Sequence, residues 1–193
     1  EVSVSGVGLH SGASSRMTFA PAPINTGLVF VVPGPEGDIE IPAVVENVTG
    51  EQDLVRATTL AKDGVTIHTV EHVLAAMSGM GITNCYIRLE VGEPPVATCG
   101  SSLTYVEMID EAGVQDQGLP AMTYKINRPV SWRNGDVEVT AEPADTFLVS
   151  FSITYDDAAI GTQEATYEVR PWVFRDEIAT ARTKTPGADP NDD

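Results

Sequence analysis

The apolar residues of this chain come in short β-rich runs closed off by glycine, proline, asparagine or aspartate, and that punctuation restricts it to a strand-rich fold. Arg16 to Phe19 and Leu28 to Val32 are two such runs, separated by the turn-forming PAPINTG. Ile39 to Val45 and Val65 to Ile67 are two more. Period-2 alternation puts Cys85, Ile87, Leu89 and Val91 on one face of a strand over 84–91, with Tyr86, Arg88 and Glu90 on the other.

Two helices interrupt the strands. Val70, Val73, Leu74 and Met77 fall at i, i+3, i+4 and i+7, which predicts a helix over 70–78 with Thr69 as its cap and Gly79 as its stop. A second helix is predicted over 102–112, with Leu103, Val106 and Ile109 or Asp110 facing inward and Gly113 ending it. The polar, Pro-terminated QDQGLP (115–120) is the best domain boundary. Beyond it, 123–131, 136–141, 147–155 and 163–169 read as strands, the first two joined across Asn134-Gly135, and a helix from Pro171 to Arg182 follows. The last ten residues, KTPGADPNDD, cannot continue an amphipathic element and read as a tail. The expectation is therefore an α+β protein: a first unit over 1–117, a partial second unit over 118–183 and a non-core tail over 184–193.

Eleven basic against 28 acidic residues give a net charge of −17, which repels nucleic acid and anionic membrane surfaces. An anionic sugar nucleotide is still admissible, because salt screens distant charge beyond roughly 10 Å and a local cluster of donors decides binding. No run approaches the roughly 20 apolar residues of a membrane span. The start has no initiating Met and no signal-peptide order, and the expected location is the cytoplasm. Cys85 and Cys99 lack metal-ligand spacing and read as ordinary small residues.

Two of the three histidines fall in His68-Thr69-Val70-Glu71-His72, where a metal or acid–base site is sought first. H-x-x-E-H is the inverted zinc-protease pattern, which needs His68 and His72 on one helix. The β-branched run before His68 argues for a strand instead, and a strand ending at Ile67 excludes that pattern. Glu71 and His72 then share the first turn of the helix, where the dipole favours a carboxylate and a neutral imidazole. Taken alone, the pair also fits a first-turn acidic residue beside a hydrogen-bonded polar one.

TVEHVLAAMSGMGITNCYI (69–87) resembles the T-V-E-H-L-x-A-L-x-G-L-G-I-D-N segment of the UDP-3-O-acyl-N-acetylglucosamine deacetylases. GVGLHSG (6–12), PAPINTGLVF (21–30), GEPPVATCGSS (92–102) and ATART (179–183) resemble further segments of that family, in the same order. The resemblance implies two similar sheet-plus-helix units facing across a cleft, the second incomplete here, and zinc-dependent hydrolysis of the 2-acetamido group of a UDP-sugar lipid precursor. That reaction belongs to lipid A synthesis in Gram-negative bacteria. By resemblance, His72 is a zinc ligand, Glu71 the general base, Thr183 a hydroxyl donor to the oxyanion and His10 a residue on the substrate side. Cys99 stands where the family has an aspartate. The family's further ligands, an H-K-x-x-D motif and a later histidine, have no counterpart here, so the Zn2+ site is expected to be incomplete. The chain is expected to be a C-terminally truncated, inactive form, or else a non-catalytic relative.

Overall fold

The computed structural model describes residues 1–49, 57–95, 100–155 and 158–182. It is an α+β protein built on a five-stranded sheet in the order β1-β2-β7-β3-β4. The strands are β1 (Val2–Val7), β2 (Ser14–Pro21), β3 (Leu28–Gly34), β4 (Gly37–Pro42) and β7 (Cys85–Leu89). A small hairpin of β5 (Leu60–Lys62) and β6 (Val65–Ile67) lies between β4 and β7 in the chain. β3 and β7 run parallel, with Phe30 opposite Ile87; the other pairs in the large sheet are antiparallel. β1 and β5 were not expected from the sequence: Val2–Val7 is diluted by serine and glycine, and Leu60–Lys62 is too short to show alternation.

Alternation along β7 works as read, with Cys85, Ile87 and Leu89 buried and Arg88 exposed. Burial pushes the Cys85 thiol up to about 11, which suits an inert core residue. Met17, Phe30, Ile41 and Ile87 are fully buried on the sheet side of the core. Two helices supply the other side, α1 (Glu71–Gly79) through Val73 and Met77, and α2 (Leu103–Ala112) through Tyr105, Val106, Met108 and Ile109. Each such side chain contributes roughly 1.5–3 kcal/mol when removed from water. Tyr105 also packs its ring against Phe19 and donates its hydroxyl to the Pro95 carbonyl at 2.8 Å. The inward stripe of α2 is therefore rotated from the expected one, with Leu103 half-buried and Asp110 exposed; Gly113 ends the helix at φ +73°, as expected.

The ends of α1 differ from expectation at both termini. Thr69 does not cap the helix: it has φ +58°, its hydroxyl bonds elsewhere, and Val70 occupies the cap position. Gly79 does not stop it either. That role falls to Gly81, at φ +74°, while Gly79 is needed because any Cβ there would strike the ring of Phe174.

Phe174 arrives from the far end of the chain. A single helical turn, α3 (Pro171–Val173), begins with Pro171 as expected and then widens into a π-turn over Phe174–Ile178, with the Ala179 N–H donating to the Phe174 carbonyl at 2.7 Å. The regular helix expected through Arg182 is not formed, and the widening seats Phe174 and Ala179 in the core of the sheet region. Arg175 pairs with Asp110 on α2.

Between these regions lie two separate hairpins, β8–β9 (Val130–Asn134 and Val137–Ala141) and β10–β11 (Leu148–Thr154 and Thr162–Glu168). The turn in the first is Gly135-Asp136, with Gly135 at φ +58°. The strand expected from Thr123 starts only at Val130, since Pro129 and Arg128 precede it in a stretch with no regular structure. Among the described residues, none from 110 to 168 joins the buried core. No helix among the described residues is long and apolar enough to cross a membrane. Cys99, Thr183 and the tail expected over 184–193 lie outside the described residues.

Candidate functional site

β6 ends at Ile67, and the left-handed Thr69 turns the chain so that α1 starts at Glu71. His68 and His72 therefore do not share a helix, which removes the inverted zinc-protease pattern. His68 is half-buried, its N–H donates to the Gly92 carbonyl at 2.8 Å, and its Nδ1 lies 3.1 Å from the Thr59 hydroxyl.

Glu71 and His72 sit in the first turn of α1, as expected. The Thr58 N–H donates to Glu71 Oε2 at 3.0 Å, while Glu71 Oε1 lies 4.0 Å from His72 Nε2. Both side chains are partly accessible, at 34% and 17%. Val70 donates to the Thr58 carbonyl at 3.3 Å, so Thr58 is tied to the helix start through both Val70 and Glu71. The Ser102 hydroxyl, at the head of α2, donates to the His72 carbonyl at 3.0 Å. The result is a carboxylate held by one oxygen, with its other oxygen near an imidazole. A carboxylate so placed is a candidate proton acceptor.

His10 is exposed at the tip of the loop between β1 and β2. Its backbone N–H is bonded, at 2.9 Å, to a residue that carried no role in the sequence reading, Glu93. Glu93 is only 2% exposed. It also accepts the Ser11 N–H at 2.9 Å, the Ser11 hydroxyl at 2.5 Å and the Thr69 hydroxyl at 2.9 Å. Burial alone would raise its pKa, but these four bonds to the charged form outweigh burial and hold it below the ordinary carboxylate value. A charged residue between a strand and two prolines was the available signal, because a buried carboxylate must find donors.

A mononuclear catalytic zinc takes about three protein ligands. Among the described residues, no group of three His, Cys, Asp or Glu could hold a metal, so His10 and His68 are not gathered with Glu71 and His72 as a metal cluster.

With this geometry in view, the relatives of the chain are informative. The family model for UDP-3-O-acyl N-acetylglycosamine deacetylase matches residues 1–187. This chain belongs to that family. It is 41% identical over 184 residues to the UDP-3-O-acyl-N-acetylglucosamine deacetylase of Hahella chejuensis, covering 94% of this chain and 60% of the relative. The deacetylase of Marinobacter nauticus is 39% identical, with 94% and 59% covered. The bifunctional enzyme LpxC/FabZ of Chlorobaculum tepidum is 38% identical over 167 residues, covering 86% of this chain and 35% of the relative. The chain thus spans about 60% of the length of the single-function deacetylases it matches.

Proposed function

We propose that this chain carries the general-base part of a site that hydrolyses the 2-acetamido group of UDP-3-O-acyl-N-acetylglucosamine, in lipid A synthesis in the bacterial cytoplasm. The observation that carries the reading is the Glu71–His72 pair on the first turn of α1, with Glu71 Oε2 tethered by the Thr58 N–H and Oε1 4.0 Å from His72 Nε2. Glu71 takes a proton from the attacking water as the oxygen joins the acetyl carbon; the C–N bond then breaks, and the proton goes to the departing amine. Acetate and a free 2-amino sugar result. His10 lines the substrate side, and Thr183 donates a hydroxyl to the developing oxyanion.

His72 is proposed as one ligand of a zinc ion, which in such a site supplies Lewis acidity. Zinc does not fit on the described residues alone, since they hold no group of three donors. The 193-residue chain is therefore expected to release little acetate by itself. A chimera joining residues 1–182 to the C-terminal portion of the Hahella chejuensis deacetylase tests the reading. It is expected to release acetate in the presence of zinc, and Glu71→Gln to lower that rate by on the order of 10²–10⁴. A chimera that folds but releases none, or an active one indifferent to Glu71→Gln, sinks the proposal. The first of these results favours a non-catalytic relative, the reading to which Cys99, in place of the family's aspartate, lends support.

A further inference from the structure

Glu93 has no place in the proton transfer, yet it is the most heavily bonded carboxylate near the site. Each of its oxygens has two donors: Oε1 takes the His10 N–H and the Thr69 hydroxyl, and Oε2 takes the Ser11 N–H and the Ser11 hydroxyl. Those donors come from two separate stretches of chain. His10 and Ser11 belong to the glycine-rich loop, which closes on itself through Gly8 N–H to Ala13 O and Gly12 N–H to Gly8 O, at 2.9 and 3.0 Å. Thr69 forms the turn that feeds α1. A β-branched residue at φ +58° is strained, and it persists only where its surroundings over-determine it. The bond to Glu93 is one such constraint.

The glycines follow from the same arrangement. A Cβ at Gly8 would land on Glu93 Oε2 and the Ser11 hydroxyl, so the loop can reach the carboxylate only with glycine there. A Cβ at Gly92 would lie 2.7 Å from the Thr66 carbonyl, which would force apart the approach that lets the His68 N–H reach the Gly92 carbonyl.

We propose that Glu93 is a positioning residue for the site: its carboxylate locks the loop carrying His10 against the Thr69 turn that aims Glu71 and His72. The functional meaning of that lock rests on the reading of Glu71 and His72 given above. The lock itself is a property of this chain and is measurable without catalysis.

Glu93→Gln separates the lock from the scaffold. The main chain at 92–93 keeps its own anchors, since the Ser15 hydroxyl donates to the Glu93 carbonyl at 2.7 Å and His68 to that of Gly92, so the variant is expected to fold. An amide has one acceptor oxygen where the carboxylate has two. Whichever way it is turned, either the His10 or the Ser11 N–H faces an NH2 group and loses its partner. Amide hydrogen exchange and the three imidazole signals, followed by NMR on the 193-residue chain, read this directly. The expected result is a loss of protection of about tenfold or more at His10 and Ser11, with the Ile87 amide in β7 unchanged and the His10 and His72 imidazole signals displaced. Ser11→Ala, which removes only the hydroxyl donor, is expected to give a smaller loss at the same two amides. Protection in Glu93→Gln within about twofold of the parent overturns the proposal. So does an equal loss at Ile87, which would make Glu93 a general structural residue, and so do His72 signals that stay in place. An inactive chimera with these signals moved as expected would count against the deacetylase reading and leave the lock standing.

Discussion

The sheet region and the two C-terminal hairpins are made of strands with the same alternation, but only one of them hides its apolar face. Phe30 and Ile87 are fully buried, whereas Trp132, Val139 and Phe151 are 59%, 62% and 63% exposed. The hairpins are well formed in themselves. Val130 pairs with Ala141 and Trp132 with Val139 along one face of the first, and Val149, Phe151 and Ile153 share a face of the second. Ser131–Thr140, Ser150–Thr166 and Thr154–Thr162 hydroxyl pairs hold the opposite faces. What differs is the surroundings: β7 has a strand on each side, and α1 and α2 complete the core it faces, while each hairpin strand pairs, among the described residues, with one other strand. Isolated two-stranded hairpins are marginal in water. Alternation makes a strand amphipathic, and a partner layer makes that amphipathicity stabilising.

The largest expected effect sets the two regions directly against each other. In denaturant unfolding, Phe30→Ala should remove about 3–5 kcal/mol, because it empties a fully buried site between β4 and β7. Phe151→Ala should stay within about 0.5 kcal/mol, as an exposed ring has little to lose. Comparable losses would break the contrast. A second, smaller effect concerns the C-terminal segment that, among the described residues, reaches the core. Gly79→Val should cost about 1–3 kcal/mol by driving a side chain into Phe174, and most of that penalty should vanish in a Phe174→Ala background. A penalty that is the same in both backgrounds would mean that the contact between α1 and the π-turn is not the cause.

The smallest effect is acid sensitivity. The folded-state pKa of Glu93 lies below its ordinary value of 4.5, so its carboxylate contributes stability in full above that value and loses the contribution as the pH falls through the folded-state pKa. The hairpins' hydroxyl pairs do not titrate in that window. Acid titration followed by hydrogen exchange should therefore open the 8–13 loop while leaving the exchange behaviour of β8–β9 as it was. Simultaneous opening of both would show that acid acts through general charge rather than Glu93.

How much could be read beforehand follows from the range of the interactions involved. Cys85, Ile87 and Leu89 declared β7, and Val70, Val73 and Met77 declared the buried face of α1, because alternation and 3.6-residue periodicity are local. Thr69 departs from its local pattern for the same reason. A threonine before an apolar helix is a cap by local rules, and only Glu93, 24 residues away, makes a left-handed threonine bonded to a carboxylate the observed outcome. Local rules make Gly79 a stop, whereas its real constraint is a phenylalanine 95 positions on, at 174.

The sequence by itself determined the α+β class, the Glu71–His72 pair in the first turn of a helix and, through five ordered motifs, the family. Tertiary structure alone decided that Glu93 joins two distant loops at this site, that His68 turns towards Thr59, and that the π-turn enters the core. The division has a physical reason. Periodicity and turn chemistry are written in adjacent residues, whereas the partner of a buried charge or the occupant of a missing Cβ is chosen by whatever the fold brings within a few ångströms.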